Sequence, residues 1–208
     1  DSITNNPALT VSKETGAALE YSTNNGGTWS STFTAQEGAN NLLVRQIDKA
    51  GNVSVGQAVS FTLDTQADTG TAAAVSVALS QFNASTKSSL SYTVVGLDAD
   101  ATGSLVFTDS TGATKTVAIN ANGSATTNLA GLADGNITVA LNVTDVAGNS
   151  VVRTGPTLAL DATAPVQVTI GTIAGNDVVN LSEATANVSL SGTTEVGSAV
   201  SVRVGAST

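Results

Sequence analysis

The chain repeats itself at long range. Val44-Arg45-Gln46-Ile47-Asp48-Lys49-Ala50-Gly51-Asn52 returns as Leu141-Asn142-Val143-Thr144-Asp145-Val146-Ala147-Gly148-Asn149, and both copies carry Asp-x-Ala-Gly-Asn after an apolar/polar alternation. Phe61-Thr62-Leu63-Asp64-Thr65 returns as Leu158-Ala159-Leu160-Asp161-Ala162. Asp48 and Asp145 stand 97 residues apart, and so do Asp64 and Asp161. Two independent landmarks with one spacing define a folding unit of that length. The period divides the 208 residues into 1–65, most of one repeat without its first strand; 66–163, a complete repeat; and 164–208, the opening part of a third.

Within the complete repeat, short β-branched runs alternate with Gly, Asn and Asp, a pattern of strands and turns rather than helices. Seven strands are predicted, over 74–82, 90–97, 104–108, 114–120, 125–129, 137–144 and 151–160. Val75, Val77 and Leu79 alternate in the first, and Ile137, Val139, Leu141 and Val143 in the sixth. Ser110-Thr111-Gly112, Ala121-Asn122-Gly123, Ala133-Asp134-Gly135 and Ala147-Gly148-Asn149 supply the turns. About seven strands in about 100 residues make an immunoglobulin-like Greek-key sandwich, so the chain is all-β, with tandem sandwiches in series. Two facing sheets would bury the alternating residues.

Composition narrows the chemistry. There is no cysteine, histidine or methionine. That removes disulfides, thiolate zinc sites, cysteine nucleophiles and the commonest general base, and the sequence is read as non-enzymatic. A carboxylate-based hydrolase would need paired acids in a cleft, whereas the acids here fall at strand ends. The formal charge of −9, from 16 acidic and 7 basic residues, disfavours nucleic acid and anionic membranes. It suits a chain that binds cations, or one whose acidic surface only keeps it in solution. No apolar run is long enough to span a membrane. The chain reads as an internal segment, so the lack of a signal peptide carries little weight.

Several motifs are family-like in their order and spacing. Tyr21-Ser22-Thr23-Asn24-Asn25-Gly26-Gly27-Thr28-Trp29, Glu37-Gly38-Ala39-Asn40 and Val44 through Ser54 follow one another. Leu160-Asp161-Ala162-Thr163-Ala164-Pro165 and Asn176-Asp177-Val178-Val179-Asn180-Leu181-Ser182-Glu183-Ala184 come later. Together they resemble the bacterial Ig-like repeats of giant type I-secreted adhesins of the SiiE and BapA kind. The resemblance implies a monomeric stalk, secreted and retained at the bacterial cell surface, whose neighbours are further Ig-like repeats of the same chain. It implies adhesion to a host-cell or biofilm surface through another part of the protein, and calcium at the domain junctions. One departure is visible: the first linker, Asp64-Thr65-Gln66-Ala67-Asp68, has Asp68 where the second has Pro165.

The acids gather where such joints would fall. At the first, the linker supplies Asp64 and Asp68, the B–C loop Asp98 and Asp100, the F–G loop Asp145 and Asn149, and the preceding repeat's E–F loop Glu37. Crowded carboxylates repel one another, and Ca2+ relieves that by taking 6–8 oxygen ligands. At the second joint the candidates are Asp161, Glu195 and Asp134. A third candidate is Asp177 with Asn180 and Glu183, with Asp1 as its counterpart in the first repeat. The plain alternative is that these are ordinary Asp-rich turns and strand ends. Asp98-Ala99-Asp100-Ala101-Thr102-Gly103 with Asp109 imitates an EF-hand loop, but its flanks are strand-like where an EF-hand needs helices.

A rival function is direct recognition of a glycan or surface by the repeats themselves. It would want exposed aromatics, and Trp29, the only Trp, is expected to pack on its own sandwich. Arg45 and Arg153 are read as solvated or paired surface charges, and Gly51 and Gly148 as the positive-φ residues of their turns.

Overall fold

The computed structural model describes residues 2–203. It divides the chain into two compact units, 1–161 and 162–208. Asp1 lies outside the described residues.

In the first unit, the residues of the first repeat form one sheet from β1 (Ile3–Thr4), β2 (Ala18–Ser22), β3 (Gly38–Ile47) and β4 (Gln57–Leu63). Its order is β1-β4-β3-β2, with β1 parallel to β4 and the other pairs antiparallel. Asn40, Leu42 and Val44 are the buried alternating positions of β3.

The second repeat is a two-sheet sandwich. β5 (Ala74–Val77), β7 (Leu90–Val95) and β10 (Gly123–Thr127) make one sheet, in the order β10-β7-β5. β6 (Gln81–Asn83), β8 (Ala101–Thr108), β9 (Thr114–Ile119), β11 (Gly135–Asp145) and β12 (Ser150–Asp161) make the other, in the order β6-β12-β11-β8-β9. β6 runs parallel to β12, as β1 does to β4. The sequence repeat is therefore a repeat of topology: β3–β4 and β11–β12 are the same hairpin, each flanked by a short parallel edge strand. The fold is an immunoglobulin-like β-sandwich.

Ile137, Val139, Leu141 and Val143 are all buried on β11, as their alternation predicts, and Leu90, Phe107 and Leu129 are fully buried in the same module. Burying each such side chain is worth about 1.5–3 kcal/mol, so this interior supplies the main driving force of the module.

The single strand expected over 74–82 is instead two. Ala78 donates its N–H to Ser91 O on one sheet, and Ala159 donates to Ser80 O on the other. The chain changes sheets between these bonds, which leaves Leu79 exposed rather than buried. On β12, Gly155 and Pro156 lie opposite the single residue Val139, a bulge that tolerates proline. A Cβ on Gly155 would stand 2.7 Å from Val75 Cγ1 of the facing sheet. A side chain there would push the sheets apart.

The second unit contains β13 (Thr169–Ile170) paired with β14 (Gly192–Thr193) and a four-residue helix, α1 (Leu181–Ala184).

A candidate joint between the repeats

The repeated turn sets the joint's geometry. In each copy an Asp at the end of a strand accepts from the Asn four residues on. Asp48 Oδ1 accepts from the Asn52 N–H at 2.8 Å and Oδ2 from Asn52 Nδ2 at 2.8 Å. Asp145 does the same with Asn149 at 2.9 and 2.7 Å. Gly51 and Gly148 close the turns at φ 90° and 89°, a conformation that favours glycine. The Asn52 amide holds Asp48's carboxyl below the ordinary carboxylate range, helped by the Asn52, Ala50 and Gly51 N–H groups.

In the second copy the same amide reaches further. Asn149 Nδ2 also donates to the Asp64 carbonyl at 2.8 Å, across 85 residues of sequence. Asp64 donates its own N–H to Thr4 O at 2.9 Å. Asp64 is thus bonded to the first repeat through its backbone N–H and to the second through its carbonyl oxygen.

The linker that follows is held along its length. Glu37 Oε1 and Oε2 accept from the Thr65 N–H at 3.1 Å and from Thr65 Oγ1 at 2.8 Å. Asp64 Oδ1 accepts from the Gln66 N–H. Ala67 and Ala73 are buried. Asp98 Oδ2 accepts from the Thr69 N–H at 2.8 Å and from Thr69 Oγ1 at 3.1 Å. Asp68, whose side chain is 2% exposed, takes an ion pair from Arg153 Nη2 at 2.7 Å and the Ala73 N–H at 2.8 Å. Its other oxygen, Oδ1, is buried without a hydrogen-bond partner. The linker is bonded to the B–C loop through Thr69 and Asp98 and to the F–G turn through Asp64 and Asn149.

The acids do not gather into one cage. Asp64, Asp68, Asp98, Asp145 and Glu37 each serve a separate N–H, hydroxyl, amide or guanidinium donor, and Asp100 stands exposed. Among the described residues no three acidic side chains are grouped so as to hold a metal ion. Calcium needs 6–8 converging oxygens, so the residues as arranged here do not fit it.

The second unit repeats one contact. Glu195 Oε2 accepts from the Val166 N–H at 3.0 Å, across the same 29 residues that separate Asp98 from Thr69. The Asp177–Asn180–Glu183 group is also engaged locally. Asp177 Oδ1 accepts from the Ile173 N–H, and Glu183 and Asn180 form a reciprocal capping box on α1. At the far pole of the second repeat, Asp134 lies in the turn before β11 and Asp161 ends β12. They match Glu37 and Asp64 at the 97-residue period.

The family model described as "Bacterial Ig-like domain" matches residues 2–65. Those residues resemble a bacterial Ig-like domain. The bacterial Ig-like match ends on Thr65, the residue that Glu37 grips. No curated protein matches the chain. Among solved structures, a Ca2+-stabilized adhesin with which an Antarctic bacterium reaches out and binds ice is 27% identical, over 86% of this chain and 49% of that one, at a TM-score of 0.42. A tetra-tandem repeat from the extending region of a large adhesion protein is 21% identical, over 86% and 55%, at 0.42. A 1.5-MDa bacterial ice-binding adhesin is 23% identical, over 86% and 64%, at 0.40. The chain spans less than two thirds of the length of each of these.

Two residues do more than sequence reasoning assigned them. Arg153, read as a solvated or paired surface charge, is paired, and its partner is a buried carboxylate. Asp109, the last residue of the rejected EF-hand pattern, is 6% exposed and accepts from the N–H groups of Thr111, Ala113 and Ala133 and from Thr111 Oγ1. The Ala133 N–H leads in lowering its carboxyl to about 2. In the first repeat Trp29 is half-buried, with Arg45 stacked 3.9 Å from its ring centre and paired with Glu20. Tyr21, Phe33 and Phe61 pack on one another. These aromatics are spent on internal contacts rather than displayed as a platform. Among the described residues no helix is long and apolar enough to cross a membrane.

Proposed function

We propose that the chain is a non-enzymatic stalk segment of a bacterial cell-surface adhesin, in which Ig-like repeats stand in series and carry a binding module located elsewhere in the protein. The proposal places it outside the cell, as a monomer whose partners along the stalk are further repeats of its own chain. The carrying observation is the Asp64 backbone, whose N–H donates to Thr4 O and whose carbonyl accepts from Asn149 Nδ2. A stalk must transmit direction from one repeat to the next, and a linker bonded to both neighbours does so. The bacterial Ig-like match and the 97-residue period support the same reading.

The chain lacks native cysteine, so paired spin labels can be placed cleanly. Cysteines at the exposed positions Ala58 and Lys115 report on the first joint. One narrow distance distribution is expected. A broad one, of the width a free linker produces, would overturn the stalk reading.

A further inference from the structure

We infer that the first joint is a clasp that closes without calcium, with Arg153 as its built-in cation. The inference rests on the stalk reading and specifies how that joint is held.

Three observations carry it. The acid of the B–C loop recurs at the period, and its work recurs with it: Asp98 accepts from the Thr69 N–H, and Glu195 from the Val166 N–H. Between the copies the acid lengthens by one methylene and the partner loses its hydroxyl, while the bond from the incoming backbone persists. A hydrogen-bond acceptor tolerates that exchange readily. What persists through the exchange is acceptance of an N–H from the incoming backbone.

Second, the donors at this pole are protons. Asp98 faces an N–H and a hydroxyl, Glu37 faces the same pair on Thr65, and Asp145 faces the backbone and side-chain amides of Asn149. A divalent ion would have to share these oxygens with the hydrogen bonds that secure the linker, since both oxygens of Glu37 and of Asp145 and Oδ2 of Asp98 already accept.

Third, the deepest acid already has a positive partner. Asp68 accepts from Arg153 Nη2 at 2.7 Å and Nε at 3.2 Å. The unpartnered Asp68 Oδ1 belongs to the same carboxylate, so a metal ion there would sit within a few ångströms of a guanidinium and be repelled. At the second linker Pro165 occupies the place of Asp68. Proline restricts the chain through its ring, whereas here an ion pair between linker and β12 does so.

The test uses the full 208-residue chain with spin labels at Ala58 and Lys115. It is measured in EGTA and in about 5 mM calcium, above the roughly millimolar affinity of the weakest extracellular calcium modules. The inference expects the same narrow distance in both. A distance that narrows only with calcium would overturn it while leaving the stalk reading intact. A broad distance in both would overturn the stalk reading. Arg153→Gln should broaden the distance in both conditions and Arg153→Lys should broaden it less; an unchanged distance in Arg153→Gln would remove the role given to Arg153. If Arg153→Gln does not fold, Asp98→Asn provides the second arm. It should loosen the joint equally in EGTA and in calcium. Loss of a calcium response in that variant would identify Asp98 as a metal ligand instead.

Discussion

Asn149 and Asn52 close the same turn, yet only Asn149 reaches a neighbouring repeat. Truncating each to alanine separates the turn from the joint. Both variants lose an amide bond to an Asp, at 2.7 Å for Asn149 and 2.8 Å for Asn52. Asn149→Ala also loses the 2.8 Å bond to the Asp64 carbonyl. A hydrogen bond of this kind contributes about 1 kcal/mol net. Asp145 is 8% exposed, so the oxygen left behind is poorly reached by water, which adds roughly another 1 kcal/mol. Asn149→Ala should therefore lose about 2 kcal/mol more than Asn52→Ala, a factor of roughly 30 in the folding equilibrium. Urea unfolding measures the loss in each variant, and the Ala58/Lys115 label pair shows whether the joint loosens. Loosening is expected for Asn149→Ala alone. Equal losses with an unchanged distance in both variants would show that the bond to Asp64 adds nothing to the joint.

Two further predictions concern the second repeat. Asp109's carboxyl is lowered to about 2 from the usual 3.8, chiefly by the Ala133 N–H. Its stabilisation is present above the unfolded value and is lost as pH falls from about 4 towards 2. Asp109→Asn should flatten that acid limb in urea titrations between these pH values; an unchanged slope would place the acid sensitivity elsewhere. Gly155→Ala puts a methyl group 2.7 Å from Val75 Cγ1. It should destabilise the sandwich by about 1–3 kcal/mol, and Val75→Ala in the same chain should recover part of that loss in urea unfolding.

Much of the fold is legible along the chain. The alternation Ile137, Val139, Leu141, Val143 defines a strand with one buried face, because successive side chains of a strand point to opposite sides. The paired Asp-x-Ala-Gly-Asn turns and the paired linker acids reveal the period before any contact is known. The sheet change after Val77 is less legible, since nothing local distinguishes a strand that continues from one that crosses between sheets. Asp109 shows a limit of another kind. Its spacing to Asp98 suggests a metal loop, while its partners are backbone N–H groups of its own turn and of Ala133.

The acids of the joint divide along the same line. Their positions follow from the sequence: Asp64 in the linker, Asp98 in the B–C loop, Asp145 before the F–G turn, all near one pole. What they face follows only from the tertiary structure. Carboxylates crowded in sequence logic imply a cation, because like charges repel. The folded chain brings the Thr69 hydroxyl, the Asn149 amide and the Arg153 guanidinium to them, the last two from β11–β12 and the turn that joins them, 85 residues beyond the linker groups they hold. Local pattern is set by backbone geometry, which neighbouring residues control. The choice between a metal and a proton donor at a given oxygen is set by which distant side chain the packed sheets deliver to it.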